Sequence, residues 1–394
     1  MKVLHLTTVP RGGAGLACIR LHRALLNAGV NSKVLTLIGP EDAGRNIYSV
    51  EATDASFSKT IQQFKRKRYF QNWKVRLYGK TPELFSFSGS PWKIEDHPLV
   101  KEADIIHLHW VSGMIDIERF FRAVQKPIVW TLHDAWPYSG GFHYENYWNS
   151  GKFEALSRKE RDIRRSAYSG HAIPVVAPSK YLLDQSAQSR VFEKASFHWV
   201  PNSAPADIFH PIEDRDAIRS HYGIQKDDVM WVFGSDELDY FRKGADLLID
   251  AFLSWKTDRV QLVIAGKGDA AKLPVHPRIR FTGHIDSEDS MARLLGAADA
   301  VIHTSQEDNM PNVILEALLC GTPVLATPAG GVPEMIRTGE NGLLTNDFSV
   351  ASIRSGFDEL LRTVFDRKKI AEDALTRYGD AKQVAKMLEV YRSA

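Results

Sequence analysis

Two doubly wound α/β domains facing across a cleft are the fold that this sequence predicts. Three observations lead there. A chain of 394 residues is too long for one ordinary core and comfortable for two domains of roughly 200 residues each. It opens on strand, glycine turn, helix and strand, a βαβ unit. After a proline-rich crossover, the same rhythm of short apolar strands and helical patterns begins again.

In the first domain, residues 1–200, a strand is expected at 3–8, a turn at Gly12, Gly13 and Gly15, a helix at 16–27 and a strand at 32–37. Further apolar runs follow at 105–109, 128–132, 174–177 and 196–200. Each run is followed by a loop or a helical pattern, which suits a parallel sheet covered by helices. Residues 201–211 lie in "VPNSAPADIFHP", a stretch of prolines and polar residues read as the linker. The second domain, 212–375, carries strands at 230–234, 260–265, 279–282, 300–303, 323–326 and 342–344, with helices at 245–255, 290–297 and 312–319. Residues 376–394 form a charged helix expected to pack back on the first domain. Doubly wound sheets bind ligands outside the carboxyl ends of their strands, so the cleft is the expected site.

A formal net charge of +2 gives no global attraction for nucleic acid, and none is expected as a partner. The two cysteines, Cys18 and Cys320, sit in separate apolar runs and support neither a disulfide framework nor a cysteine zinc site; a reducing cytoplasm fits. The opening run is too short for a secretory leader, and no stretch of about 18 apolar residues spans a bilayer. One segment departs from the average. Residues 55–82 hold Lys59, Lys65, Arg66, Lys67, Arg68, Lys74, Arg76 and Lys80 among Phe57, Phe64, Tyr69, Phe70, Trp73 and Tyr78. This is either a solvated helix whose aromatics complete the core, or a peripheral contact with anionic membrane at the inner face of the cell membrane.

The chemistry concentrates in "SQEDNMPNVILEALLCGTPVLATPAGGVPE", residues 305–334. Asp308 and Asn309 follow a strand, Pro311 belongs in a first helical turn, and Glu316 lies about one turn on. A helix start offers N–H groups to a phosphate, and a carboxylate on each side accepts from hydroxyls. Diphosphate between two polyols is the shape of a nucleotide sugar. The plain alternative makes Asp308 a cap and Glu316 a solvated helix residue.

The run from Asp308 to Glu334 resembles glycosyltransferase family 4, retaining enzymes of GT-B fold: two acids with seven residues between them, small and apolar residues, the Gly330–Gly331 turn and another acid. Asp308 stands where most members have Glu, one methylene shorter. The resemblance implies that Glu316 accepts from the ribose and that Asp308, with Asn309, Met310 and Pro311 beside it, holds the donor sugar. "FRKGADLLIDAF" resembles the family's Lys-Gly element and makes Lys243 the residue that meets the diphosphate. Ser235 follows Gly234 where the family commonly has Arg; Arg242 is the candidate replacement. In the first domain, the glycines of "RGGAG" allow an anion close to backbone, and His133 of "TLHDAW" resembles the family's cleft histidine near the transferred sugar. Catalytic roles fall to His133 and Asp308. Trp136, Tyr138, His143 and Tyr144 of "WPYSGGFHYENYW" are expected to meet the acceptor with aromatic faces; relatives often carry cysteines here, where this chain has Phe142.

The family implies transfer from a nucleoside-diphosphate sugar, with no cofactor and no metal, to a saccharide acceptor, lipid-linked in surface polysaccharide or lipopolysaccharide synthesis. Competing readings stay in view. A sugar-nucleotide epimerase uses the same architecture. A metal hydrolase would use His107, His109, His133 and Asp134 as ligands, although His107 and His109 are expected on opposite faces of their strand unless it has ended there. Asp214 and Asp216 follow the linker and read as a solvated helix start rather than a metal clamp. The glycine spacing lacks the dinucleotide fingerprint, which disfavours an oxidoreductase.

Overall fold

The computed structural model describes residues 1–53, 57–61, 75, 84–144, 153–238, 241–269 and 274–394. It separates into two compact units, Met1–Pro201 with Gln383–Ala394, and Asn202–Lys382. Most of the basic aromatic segment at 55–82 and the far end of the 136–148 loop lie outside the described residues.

The first unit is built on a parallel sheet of β1 (Lys2–Thr7), β2 (Asn31–Thr36), β3 (Ile47–Ser49), β4 (Ile105–Leu108), β5 (Ile128–Thr131), β6 (Pro174–Ala177) and β7 (Ser196–Trp199), in the order β3-β2-β1-β4-β5-β6-β7. Both faces are covered, as the apolar strands require. Leu4, Leu6, Ile106, Leu108 and Trp130 enter one core. Val3, Ile105, Val129 and Val176 enter another, closed by Leu21 and Leu25 of the helix Gly12–Asn27 and by Val384, Met387, Val390 and Tyr391 of the last helix. Each of these buried side chains is worth about 1.5–3 kcal/mol, enough to hold the end of the chain on this unit.

The second unit repeats the plan with β8 (Val229–Glu237), β9 (Val260–Lys267), β10 (Ile279–Gly283), β11 (Ala300–His303), β12 (Val324–Ala326) and β13 (Gly342–Leu344), ordered β10-β9-β8-β11-β12-β13. In each sheet the winding reverses once, between β1 and β4 and between β8 and β11. The loops leaving those strands open the crevice where ligands of doubly wound folds bind.

Three expectations need correction, and one strand, β3, was not expected. The first helix begins at Gly12 instead of residue 16, so Gly12, Gly13 and Gly15 form its first turn. Gly15 is there for packing: a Cβ would lie 2.4 Å from the Val9 carbonyl oxygen. β8 runs on to Glu237, because Ser235 and Glu237 pair with Gly266 and Lys267 across a register shift. β3 has three residues, too few to show a period. Finally, His107 and His109 share a face, with ring centroids 4.2 Å apart; residues two apart in a strand point the same way, and the opposite expectation was an error of geometry.

Candidate active site

In the second unit the site grows from the two strands at the switch point. The short turn Phe241–Lys243 follows β8, and residues 304–311 follow β11. Thr304 Oγ1 donates to the Gly244 carbonyl at 2.7 Å, and Gln306 N donates to the Arg242 carbonyl at 2.7 Å. Gly244 has φ +67°, and a Cβ there would lie 2.0 Å from the Thr304 carbonyl oxygen. No other residue fits that approach. The docking sets Lys243 Nζ 2.5 Å from Asp308 Oδ2. Ser305 Oγ lies 3.4 Å and His303 Nε2 3.7 Å from the same oxygen.

The other side of the loop is tied as well. Gly331 N donates to the Asp308 carbonyl at 3.2 Å, and Thr327 N to the His303 carbonyl at 2.9 Å, which brings the Gly330–Gly331 turn beside Asp308. Pro311 is the residue that precedes the helix Asn312–Leu319, with no side-chain cap, rather than part of its first turn. Glu316 is 5% exposed, one turn into that helix, and Met310 is buried with its sulfur 3.4 Å from Asn202 N. Asn309 N donates to Asp308 Oδ1 at 3.1 Å.

The charges are set by position. Burial would raise the Asp308 carboxyl, but Lys243, His303 and Arg242 together hold it at about 2. Burial lowers His303 to about 4, with Asp308 opposing and Lys243 assisting. At neutral pH Asp308 is therefore a carboxylate and His303 a neutral imidazole. His303 and Gly244 were not singled out in the sequence; a histidine that closes the strand before Asp308 was the available signal.

In the first unit His133 lies just past β5, partly exposed, with Nε2 3.0 Å from His109 Nδ1. Asp134 beside it turns inward. Its Oδ2 accepts from His143 Nδ1 at 2.6 Å and Trp110 Nε1 at 2.8 Å, and its Oδ1 accepts from Trp136 N at 3.0 Å. Burial opposes ionisation, yet His143 and these donors keep the carboxyl below its usual range. His143 Nε2 meets Ser86 Oγ at 3.0 Å, Trp136 Nε1 donates to the Ser86 carbonyl at 2.8 Å, and the Arg164 guanidinium covers the Trp136 ring at 4.8 Å. The order acid, imidazole, hydroxyl is that of a serine hydrolase, but the Ser86 N–H is committed to the Gly141 carbonyl and the network holds segments together. Trp136, Tyr138 and His143 are each 1% exposed or less, so the expectation that they stack on an acceptor is corrected. Of that set, Tyr144 is the one partly exposed.

Among the described residues, His5, His107 and His109 are the group close enough to share a metal ion. The donor set does not fit one. His107 Nδ1 and Nε2 already meet Tyr391 Oη and Thr131 Oγ1, both at 2.7 Å, and no carboxylate joins the three. A cavity of about 570 Å³ lies at the opposite, amino ends of β8 and β11. Its arginines are occupied: Arg215 and Arg367 donate to carbonyls of Ala297, Ala298 and Gly296, and Arg219 pairs with Asp299.

Two doubly wound parallel sheets, the second with a lysine–carboxylate pair and a helix start at its switch point, form a GT-B fold. The fold is shared with Anabaena HepE, solved in complex with UDP and glucose, at TM-score 0.71 and 19% identity over 100% of both chains. Residues 11–207 match the model for Glycosyltransferase Family 4, and residues 230–363 that for Glycosyl transferases group 1. The chain belongs to glycosyltransferase family 4. It is 31% identical over 177 residues to an uncharacterized glycosyltransferase of Methanocaldococcus jannaschii, covering 43% of this chain and 45% of that protein, which is less than half the relative's length. It is 24% identical over 325 residues to the D-inositol 3-phosphate glycosyltransferase of Geodermatophilus obscurus, covering 76% and 67%.

Proposed function

We propose that the protein moves a sugar from a nucleoside diphosphate, a uridine one by analogy with the HepE complex, to a hydroxyl of a saccharide acceptor with retention of anomeric configuration. The Lys243–Asp308 pair beside the start of the helix Asn312–Leu319 carries this reading. Lys243 would turn to the diphosphate, and the helix start would add its positive end. Asp308, with Asn309, Met310 and Pro311, would hold the sugar; Glu316 would accept from the ribose. Gly330 and Gly331, and Gly12 and Gly13 in the first unit, would let backbone approach the donor, and His133 would hydrogen-bond the sugar. Lys243, the helix start and the glycine turns would supply fixed positive potential where leaving-group charge grows, so no metal is called for.

Attack on the same face as the departing diphosphate, with the acceptor proton passing to a departing phosphate oxygen, accounts for retention. Asp308 is held by Lys243, which favours a positioning role over a nucleophilic one; a glycosyl ester on Asp308 trapped by mass spectrometry during turnover would overturn this. A lipid-linked acceptor in surface polysaccharide or lipopolysaccharide synthesis is favoured by the cations and aromatics at 55–82. Unchanged liposome binding after neutralising Arg66, Lys67 and Arg68 would remove that support.

The donor reading is tested by melting the protein with UDP-, GDP- and ADP-sugars. A ligand at 100 times its Kd adds about 2.7 kcal/mol, which for a unit of this size raises Tm by roughly 5–10 °C. The rise should vanish in Glu316→Ala and shrink in Lys243→Ala. If no sugar nucleotide shifts Tm, the reading fails; turnover of the donor without acceptor would mean epimerisation instead.

A further inference from the structure

Three imidazoles run inward from His133. His133 Nε2 is 3.0 Å from His109 Nδ1, and His109 Nε2 is 3.0 Å from His5 Nδ1. His109 stands one residue beyond β4 and is 3% exposed; His5 lies within β1 at 0% exposure. The chain stops there, because His5 Nε2 has no hydrogen-bond partner. His107 is beside the chain but outside it, satisfied by Tyr391 and Thr131. The acid next to His133 does not orient it either, since both Asp134 oxygens are taken by Trp110, Trp136 and His143.

Burial keeps the three rings neutral, foremost through lost solvation: His5 and His109 are held well below the usual histidine range and His133 at about 4. A neutral ring carries one N–H, and each link needs one hydrogen between its two nitrogens. Both links join an Nε2 to the next Nδ1. The protons are therefore not independent: all three rings carry Nδ1–H, or all three carry Nε2–H. The second arrangement puts an N–H on His5 in a buried place without an acceptor. The first leaves a bare lone pair there instead, and buried donors are orphaned more rarely than acceptors.

We infer that His109 and His5 are positioning residues that fix His133 as the neutral Nδ1–H tautomer, so that its outward nitrogen donates to a sugar hydroxyl or phosphate oxygen and accepts from neither. The use of that donor rests on the proposed role of His133 at the donor sugar; the tautomer does not. A histidine near a leaving diphosphate is useful in this form, because it can stabilise growing negative charge while taking up no proton.

The test is the nitrogen spectrum of the full-length protein labelled with 15N-histidine, at neutral pH, with the three rings assigned from His5→Phe, His109→Gln and His133→Phe. The expected result is Nδ1–H on all three rings in the wild type, and a tautomer mixture at His133 once His5→Phe removes the inner donor. Nε2–H at His133, differing tautomers along the chain, or one equivalent of a transition metal retained by the purified protein would each overturn the inference. The wild-type spectrum decides even if a variant folds poorly. In transfer assays, His5→Phe should lower kcat roughly three- to tenfold while KM for the donor changes less, and His109→Gln, whose amide can still donate to His133, should keep more activity than His109→Phe. Nδ1–H at His133 with normal transfer by His133→Ala would sink the proposed role at the sugar and leave the tautomer assignment standing.

Discussion

Acid should unfold the first unit through its buried histidines, and His107 allows the effect to be worked out. Burial, with a smaller push from His133, lowers His107 to about 3, whereas in the unfolded chain it titrates near 6.5. Below about pH 6.5 the unfolded chain takes up a proton that the folded ring refuses. The stability this ring contributes is thus complete above about pH 6.5 and is lost as pH falls toward 3, at up to about 1.4 kcal/mol per pH unit. Between pH 7 and 5 one such ring costs about 2 kcal/mol, and His5 and His109 act in the same direction. The comparison is wild type against His107→Gln in urea titrations at half-unit pH steps, followed by tryptophan fluorescence. The variant forfeits hydrogen bonds to Tyr391 and Thr131, so it starts lower at pH 7. Its unfolding free energy should nevertheless fall by about 2 kcal/mol less than that of the wild type by pH 5. Parallel lines, or a wild type that gains stability on acidification, would refute the reasoning.

Trp136→Ala should destabilise the first unit by about 3–5 kcal/mol, the usual cost of emptying a buried aromatic site, whereas Tyr144→Ala should change stability by about 0.5 kcal/mol or less and raise the acceptor KM; melting curves beside acceptor kinetics decide, and an intact Tm in Trp136→Ala would restore it as a surface residue. Asp308→Asn should slow transfer yet bind UDP at least as tightly as the wild type by calorimetry, because Lys243 is released from its partner; clearly weaker UDP binding would show that the pair does not compete with the diphosphate.

The central strands of the second unit, β9, β11 and β12, were legible because they are buried on both faces. Residues 300–303 and 312–319 fall where the apolar runs place them, since no alternative period competes over so few residues. Asp308, Glu316 and the glycine pair were legible because their spacing is contained in one stretch of chain. What joins segments was not. Lys243 and Asp308 were each marked, but their contact spans 65 residues and depends on Gly244 fitting under Thr304. Trp136, Tyr138 and His143 looked like a wet loop beside two glycines; Ser86 and Arg164, distant in sequence, cover Trp136 and His143, and Tyr138 joins the core. The imidazole chain draws on β1 and the ends of β4 and β5, an arrangement that strand order alone creates.

The resting pair has a consequence for how a donor is recognised. Lys243 and Asp308 are 21% and 14% exposed at their side chains, dry enough that either charge alone would be costly. Together, each offsets the other's charge. Under the proposed function, a diphosphate, which carries more negative charge than one carboxylate, would draw Lys243 away, and Asp308 would then need new donors. The hydroxyls of the attached sugar are donors of that kind. Hence the phosphate end and the sugar end of the ligand would not be read separately: the gain from pairing Lys243 with the diphosphate is full only when a sugar also satisfies Asp308. The shorter aspartate sharpens this coupling, because its single methylene confines the carboxylate to the reach of Lys243, Ser305 and a ligand seated directly beside them.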